Sequence, residues 1–323
     1  MSAALAPDLS APQRAEAARR WELAIRAGDW EAAWRETDRL EAARRADPTR
    51  PAGGHHLRWD GRDWANRAVL VRCLHGLGDT LQFMRFVPLL AAQARELHFL
   101  VQPMLLPLLD GLPGLGRVSN GWTDDAPPHE LELEVMELAY ALRCTTARVP
   151  PPLPALRERA AAQRLAPEAQ ALLDGTPAGV RKIGLLWSAS DWDPTRSIPL
   201  QALSPLLRVP GLRWFGLQQG EAANDPHVQA MGVLPLSPWT AAIEDAAAAM
   251  LRLDLVIAVD GMPAHLAASL GVPTWVLLKH RADWRWMTAR EDSPWYPAMR
   301  LWRQAREGDR GALLERVEAA LRA

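Results

Sequence analysis

Two glycine-containing turns carry residue types that could bind an anion and move a proton. The first is Gly76-Leu77-Gly78-Asp79, which lies between the apolar segment AVLVR and an amphipathic segment. Glycine lets the backbone approach a ligand, and the free N–H groups of a helix N-terminus attract anions or oxygen-rich groups. Gly76 and Gly78 are therefore predicted to form an anion or sugar loop. Asp79 is interpreted either as the helix N-cap or as a general base at the carboxyl edge of a sheet.

The second turn, DGMPAH from Asp260 to His265, follows the apolar strand pattern LDLVIAV and opens another helix. Pro263 is tolerated only in the first helical turn, so it helps to fix where this helix begins. A diphosphate could bind at such an N-terminus, because the helix dipole and the unpaired N–H groups favour negative charge. Asp260 is expected to cap the helix or to accept hydrogen bonds from sugar hydroxyls. His265 is expected either to reach a phosphate or to pack in the core.

A third candidate is Arg196 in the segment DWDPTRSIPL. Its guanidinium could hold phosphate oxygens as a bidentate fork, and the alternative is a solvated loop arginine. The same loop contains Asp191 and Asp193, which match a D-x-D metal motif by spelling. The surrounding strand pattern differs from that of the proteins using this motif, so no metal site is predicted.

Cofactor chemistry finds little support in the sequence. The full dinucleotide fingerprint is absent, because Leu81 occupies the third glycine position and the second strand ends near Gln102, where a ribose-binding acid is expected. Cys73 lies near His75, but no third residue is indicated that would orient them, so a buried cysteine is the expected reading. We therefore predict no cofactor and rank a dehydrogenase third.

The N-terminal residues 1–50 predict a helical hairpin that breaks at Gly28-Asp29 and is typical of one tetratricopeptide unit. A single such unit cannot bury its own apolar face, so it is expected to pack on the rest of the chain. Residues 51–66 contain Pro51, three glycines and His55-His56, and predict a linker.

From Arg67 onward, strands and helices alternate, which implies an α/β fold with parallel sheets. One α/β unit is predicted over residues 67–175 and a second over 180–323. A single amphipathic helix is expected over DTLQFMRFVPLLAAQA, and one helix is expected to connect the two units. The architecture is thus predicted to be two Rossmann-like domains that face each other across a cleft.

Composition excludes several classes of protein. The 323 residues include 37 Lys plus Arg and 38 Asp plus Glu, so the net charge of −1 gives no sign of nucleic-acid binding. The two cysteines exclude a disulfide framework, and no signal peptide or transmembrane segment is indicated. The expected location is cytoplasmic, with peripheral association at the inner membrane as an alternative.

Tryptophan is unusually frequent, with 15 residues in the chain. The densest part is the segment ADWRWMTAREDSPWYPAMRLWRQ. Asp283, Glu291 and Asp292 dilute its positive charge, which argues against stacking on nucleic-acid bases. The segment is instead expected to pack between the domains and to frame a purine or sugar face.

The segments HGLGDTLQFMRFVPLL, FGLQQGE, LDLVIAVDGMPAHLAASLGVPTWVLL and DWRWMTAREDSPWYPAMRLWRQ together resemble glycosyltransferase family 9, the ADP-heptose heptosyltransferase-like proteins. Within that family, the chain is most similar to the branch fused to tetratricopeptide repeats. The resemblance covers roughly residues 67–305. It implies the GT-B architecture, a nucleotide-diphospho-sugar donor such as ADP-heptose, and metal-independent inversion at the anomeric carbon.

The resemblance also implies residue roles. Asp79 matches the proposed base, and Asp260, Gly261 and His265 match the donor turn. Arg196 would neutralise the departing diphosphate. The donor's nucleoside or sugar is expected near two further residues, Gln218 and Glu221.

Three departures from the family pattern concern the site. Gly261 stands where the family usually has threonine, and the segment SASDWDPT places two carboxylates where a diphosphate is expected. The segment ELEVMELAYALRC also differs near the acceptor face. Two hypotheses follow. One is a transferase acting on a glycan, lipid or protein acceptor. The other is a catalytically inactive scaffold that binds a protein partner through its N-terminal helices and cleft.

Overall fold

A computed structural model describes residues 9–46 and 58–323. The predicted His55-His56 pair and most of the predicted linker lie outside the described residues. The described strands are β1 Ala68–Arg72, β2 Glu96–Val101, β3 Arg117–Asn120, β4 Leu131–Glu134, β5 Arg181–Leu186, β6 Leu212–Gly216, β7 Val233–Pro235, β8 Leu255–Val259, β9 Thr274–Leu278 and β10 Met299–Arg303.

The helices of the described part connect these strands and precede them. They are α1 Ala11–Ala27, α2 Trp30–Ala46, α3 Leu77–Phe83, α4 Val87–Ala91, α5 Leu106–Leu109, α6 Leu138–Ala141, α7 Pro154–Ala162, α8 Pro167–Asp174, α9 Ser204–Leu207, α10 His227–Ala230, α11 Ile243–Met250, α12 Met262–Ser269 and α13 Arg310–Arg322.

The described strands form two parallel sheets. The first has the order β3-β2-β1-β4 and the second the order β10-β9-β8-β5-β6-β7. The central strands are continuous apolar runs: all five residues of β8 are buried, as are the first four of β1. Such runs are expected where helices cover both faces of a parallel sheet. The predicted α/β architecture with two sheets in succession is confirmed. The domain limits at residues 50, 66, 175 and 180 stay a prediction.

The helical hairpin is also as predicted. Gly28 ends α1 with a φ of 86°, and its backbone N–H donates to the carbonyls of Ala24 and Ile25. A left-handed cap of this kind favours glycine. The buried Trp34 of α2 donates from Nε1 to the carbonyl of Cys144 at 2.6 Å. The hairpin therefore packs on the first α/β unit. Its tetratricopeptide character stays a prediction.

Two helix predictions were wrong in detail. The expected single helix after Asp79 consists of α3, a 3₁₀ turn over Met84–Phe86, and α4. Pro88 lies in the first turn of α4. It lacks an N–H group, and its ring would clash with the carbonyl four residues earlier, so an uninterrupted α-helix cannot pass through it. The expected single connecting helix is split into α7 and α8, and α8 begins at Pro167 for a similar reason.

Candidate active site at the junction of the two sheets

Asp79 lies in the first turn of α3, directly after the carboxyl end of β1. Gly76, rather than Asp79, is the N-cap of this helix. The Asp79 Oδ2 atom accepts a hydrogen bond from the Gly76 N–H at 2.9 Å. Its Oδ1 atom lies 2.7 Å from Nη1 of Arg285. Both carboxylate oxygens of Asp79 are therefore engaged within the protein.

Arg285 belongs to the tryptophan-rich segment of the second α/β unit, so its ion pair with Asp79 links the two units. Its side chain is 10% exposed, and its Nε atom lies 2.9 Å from Asp283 Oδ1. Burial opposes the positive charge of Arg285. Nearby carboxylates outweigh that effect and raise its pKa, with Asp283 first and then Asp79 and Asp260. Arg285 was not predicted as a site residue.

Asp260 follows β8 and is buried. Its Oδ2 atom accepts a hydrogen bond from Trp286 Nε1 at 2.9 Å. Gly261, and not Asp260, is the N-cap of α12. The expected capping role of Asp260 was therefore wrong. Burial raises the pKa of the Asp260 carboxyl, and the charge of Arg285 and the Trp286 hydrogen bond offset part of that rise.

His265 packs in the core, which was one of the two roles expected for it. Its ring stacks on Trp286 with the ring centroids 5.4 Å apart, and its Nδ1 atom lies 3.0 Å from the Tyr296 hydroxyl. Burial, together with the positive charges of Arg285 and Arg85, holds the pKa of His265 well below its usual value. The imidazole is therefore neutral at physiological pH.

Gly78 allows α3 to approach α12 closely. A Cβ atom on Gly78 would lie 2.8 Å from His265 Cδ2, which is closer than side chains pack. His265 is held by Trp286 and Tyr296 and cannot easily move aside. The two α/β units thus touch directly at this point. The carboxyl ends of β1 and β8 meet there.

Arg196 lies at the carboxyl end of the second sheet and contacts the donor turn. Its Nη1 atom donates to the Asp260 carbonyl at 3.0 Å, and its Nη2 atom donates to Ser190 Oγ at 3.1 Å. These contacts contradict the solvated loop arginine. The binding of phosphate by Arg196 stays a prediction. The Arg196 guanidinium also lies 5.7 Å from the ring centroid of Trp192, which is 84% exposed.

Lys279, at the end of β9, is a second cation at this edge and was not predicted. Its Nζ atom lies 2.5 Å from Asp193 Oδ2 and 2.9 Å from Thr195 Oγ1. Arg196 Nε lies 4.0 Å from the same Asp193 oxygen. Burial alone would raise the pKa of Asp193, but the hydrogen bonds from Lys279 and Thr195 outweigh it, so this pKa lies below its usual value. A carboxylate thus lies between two cations where the sequence predicts a diphosphate.

The two residues expected near the nucleoside or sugar differ in their surroundings. Gln218 is buried, and its Oε1 atom accepts hydrogen bonds from the N–H groups of Trp187 and Ser188 at 3.4 and 2.9 Å. It therefore holds the start of the loop that carries Arg196. Glu221 is exposed, and in the described part of the chain no hydrogen bond or ion pair connects it to the other candidates.

The tryptophan-rich segment packs between the units, as expected, and also on the hairpin, which was not predicted. Trp295 lies 4.9 Å from Trp30 of the hairpin and 5.3 Å from Phe83 of α3, measured between ring centroids. Trp286 and Trp295 are fully buried, so neither can offer a face to a purine or sugar. That part of the expectation was wrong for these two rings.

Metal and thiol chemistry find no support among the described residues. No group of three His, Cys, Asp or Glu side chains in residues 9–46 and 58–323 is placed to hold a metal ion. Cys73 is buried, and burial raises the pKa of its thiol. The buried-cysteine reading is therefore confirmed.

The architecture is also that of known sugar transferases. The GT family 9 protein from Veillonella parvula aligns over 75% of this chain and 87% of its own, with a TM-score of 0.50 and 14% identity. The Escherichia coli ADP-heptose lps heptosyltransferase II aligns over 79% of this chain and 97% of its own, with a TM-score of 0.54 and 14% identity. The chain has the GT-B fold. At these identities the similarity concerns the fold alone.

The sequence is also similar to that of a curated protein. Protein FlbA of Caulobacter vibrioides is 26% identical over 298 residues, which cover 82% of this chain and 48% of FlbA. The chain thus spans about half the length of this curated relative. No protein-family profile matches the sequence. Among the described helices, none is both long and apolar enough to cross a membrane.

Proposed function

We propose that the protein transfers a sugar, namely a heptose, from a nucleotide-diphospho-sugar to a hydroxyl group of a glycan, lipid or protein acceptor. The observation that carries this proposal is the meeting of Asp79 with the donor turn at the carboxyl ends of β1 and β8. Ligands of open α/β sheets bind at this edge. Arg196 and Lys279 supply positive charge beside the turn.

The reaction would be a single displacement at the anomeric carbon. Asp79 accepts the proton of the acceptor hydroxyl while that oxygen bonds to the anomeric carbon, and the bond from this carbon to the diphosphate breaks. Arg196, Lys279 and the N-terminus of α12 offset the charge of the departing diphosphate. No cofactor or metal is required in this scheme. Because Asp79 is engaged by Arg285 and Gly76, the two units must move apart to admit the substrates.

The scaffold hypothesis has its own supporting observations. Asp79 is paired with Arg285, and α3 packs directly on α12. Asp193 lies between the cations of Lys279 and Arg196. A protein that binds partners without catalysis could retain all these contacts permanently. Thermal denaturation with ADP-, GDP- and UDP-sugars separates the two functions, because a ligand of the native state raises the melting temperature. A shift with one donor class supports the transferase. No shift with any donor supports the scaffold.

Asp193 competes with the donor for Lys279 in this proposal. Asp193→Asn should therefore tighten binding of the donor's nucleoside diphosphate by about fivefold to tenfold. The asparagine oxygen can still accept the Thr195 N–H bond that Asp193 Oδ1 accepts at 3.2 Å. Lys279→Met should weaken binding by about tenfold. Isothermal titration measures both changes.

Asp191→Asn is the matched control for Asp193→Asn, because it removes an equal charge from the same loop. Asp191 has no ion pair in the described part of the chain. Its substitution should change affinity by less than about threefold. Weaker binding in Asp193→Asn would instead mean that Asp193 itself holds the donor or the loop, and the competition argument would fail.

Gly261 offers a second test at the donor turn. Its φ of −169° is extended backbone that any residue adopts, and a Cβ there would meet Leu186 Cδ2 at an ordinary 3.4 Å. Gly261→Ser should therefore fold normally and add a hydroxyl donor for a phosphate oxygen, which improves affinity by up to about tenfold. Gly261→Ala adds the Cβ without the hydroxyl. Equal affinities of the two variants in titration would show that no phosphate lies at this position.

A further inference from the structure

A cavity of about 340 Å³ lies between the helical hairpin and the carboxyl end of the first sheet. Its residues come from α1, α2, the segment after β1, the end of β4 with the turn and helix that follow, and the tryptophan-rich segment. The cavity is thus at the edge of the sheet where Asp79 lies. No residue of the donor turn lines it, so it is separate from the proposed diphosphate site.

The walls of the cavity are largely aromatic. Trp21 of the hairpin and Trp284 meet edge to face with ring centroids 5.9 Å apart. Trp34 and Tyr140 meet on another side at 5.8 Å. Trp21 and Trp284 are partly exposed at the opening, whereas Trp34 and Tyr140 are buried. Aromatic faces carry negative potential, which attracts a cation that approaches within about 6 Å of the ring.

Three carboxyl groups line the same cavity: Glu41, Glu134 and Glu137. None of the described residues that line it is Lys or Arg. Glu41 pairs with Arg44 at 3.2 Å. For Glu134 and Glu137, by contrast, the described residues place no Lys or Arg side chain within ion-pair distance. Among the described lining residues, an ionised Glu134 or Glu137 therefore has no Lys or Arg to balance its charge.

Glu134 and Glu137 are held mainly by backbone N–H groups. Glu134 accepts hydrogen bonds from the N–H groups of Met136 at 2.7 Å and Leu74 at 3.3 Å, and His75 Nε2 lies 3.9 Å from its Oε2. Glu137 accepts from the N–H groups of Trp59 and Glu134. These bonds fix the carboxyl groups in place without supplying a positive counter-charge.

The carboxyl groups also disfavour one another's ionisation. Burial raises the pKa of Glu134 to about 7, and the charges of Glu137 and Asp79 add to this rise. Burial likewise raises the pKa of Glu137 to about 7, with a further contribution from Glu41. A cation in the cavity would relieve both the repulsion and the loss of solvation.

We propose that this cavity binds an organic cation, namely an ammonium group on an apolar stem. The stem would pack against the tryptophan rings, and the ammonium would lie beside Glu134 and Glu137. This inference goes beyond sugar transfer, because binding of the cation requires neither donor nor catalysis. If the proposed function also holds, the position beside Asp79 makes the cation part of the acceptor.

Tyramine and its neutral analogue tyrosol test the proposal directly, because they share a phenylethyl body and differ in an ammonium against a hydroxyl group. Calorimetry on the full chain without any donor should show at least about tenfold tighter binding of tyramine. Tyramine affinity should rise between about pH 6 and about pH 8, because protons compete with the cation at pH values below the raised pKa values of Glu134 and Glu137. The rise should be at most about tenfold per pH unit for each proton that binding releases. Tyrosol affinity should not follow pH in this way.

Variants locate the binding within the cavity. Glu134→Gln should lose at least about tenfold in tyramine affinity, and Trp21→Ala about threefold or more. Glu22→Gln on α1, which lies outside the cavity lining, should bind tyramine as the wild type does. If Glu134→Gln fails to fold, the tyramine affinity of Trp21→Ala tests the location of the site, because Trp21 is partly exposed and its loss should be tolerated.

Several results would overturn the proposal: equal binding of tyramine and tyrosol, no binding of tyramine at millimolar concentration, or unchanged affinity in both cavity variants. A melting-temperature shift with a nucleotide-sugar together with any of these would leave sugar transfer standing and remove the cation site. Tyramine binding without a melting-temperature shift for any nucleotide-sugar would leave the cation site standing and remove the support for sugar transfer.

Discussion

Replacing Asp79 with asparagine should lower the rate of sugar transfer by about a hundredfold to ten-thousandfold, which is the usual contribution of a general base. The amide cannot accept the proton of the acceptor hydroxyl. Donor affinity should stay within about threefold, because Asp79 does not bind the diphosphate in the proposed scheme. Release of the nucleoside diphosphate in the presence of acceptor measures the rate, and titration measures the affinity.

The asparagine variant should retain the fold, which makes the result interpretable. Its amide oxygen can still accept the Gly76 N–H bond, and Arg285 keeps Asp283 as a partner at 2.9 Å. Asp63→Asn serves as a control for loss of one exposed carboxylate outside the site. A folded Asp79→Asn protein with full transfer activity would remove Asp79 from the role of base.

Replacing Arg285 with glutamine should have the largest effect on stability. The change leaves the carboxylates of Asp79 and Asp283 without their guanidinium and removes a charge that offsets the burial of Asp260. Breaking a buried ion pair by removing one partner typically costs about 3 to 5 kcal/mol. We expect a decrease of that size in the free energy of unfolding, measured by denaturant titration at neutral pH.

Arg290→Gln is the matched control, since Arg290 pairs with Asp292 at 2.6 Å where the carboxylate is 73% exposed. Exposed pairs contribute about 0 to 1 kcal/mol, so this variant should be nearly as stable as the wild type. The double variant Asp79→Asn with Arg285→Gln should recover part of the lost stability, because one unpaired carboxylate is removed. If Arg285→Gln and Arg290→Gln lower the free energy of unfolding equally, the ion pair between Asp79 and Arg285 does not hold the units together.

The architecture follows from features that are local in the sequence. Continuous apolar runs such as LVIAV and AVLVR predict buried parallel strands, and the Gly28-Asp29 break predicts the hairpin. The short strands β3, β4 and β7 were not predicted, because segments of three or four residues carry too little pattern. Strand β10, within the tryptophan-rich segment, was also not predicted, because MRLWR contains no continuous apolar run. The split of the helix after Asp79 was missed although Pro88 stood in the sequence as its signal.

The site was predictable only where its residues follow a strand or a glycine turn. Asp79, Arg196, Asp260 and His265 meet these conditions, and the structure brings them to one edge. Their partners are set by tertiary packing instead. Arg285 reaches Asp79 from a segment about two hundred positions later, and Lys279, after β9, reaches Asp193, after β5, across the one intervening strand β8. One signal was available for Arg285, namely its place between two tryptophans.

The most direct test is a structure of the protein with ADP-heptose bound. The proposal predicts that the diphosphate lies at the N-terminus of α12, in contact with the Arg196 guanidinium and with a Lys279 ammonium that has left Asp193. A structure in which Lys279 remains on Asp193, with no donor at this edge of the second sheet, would contradict the proposed function.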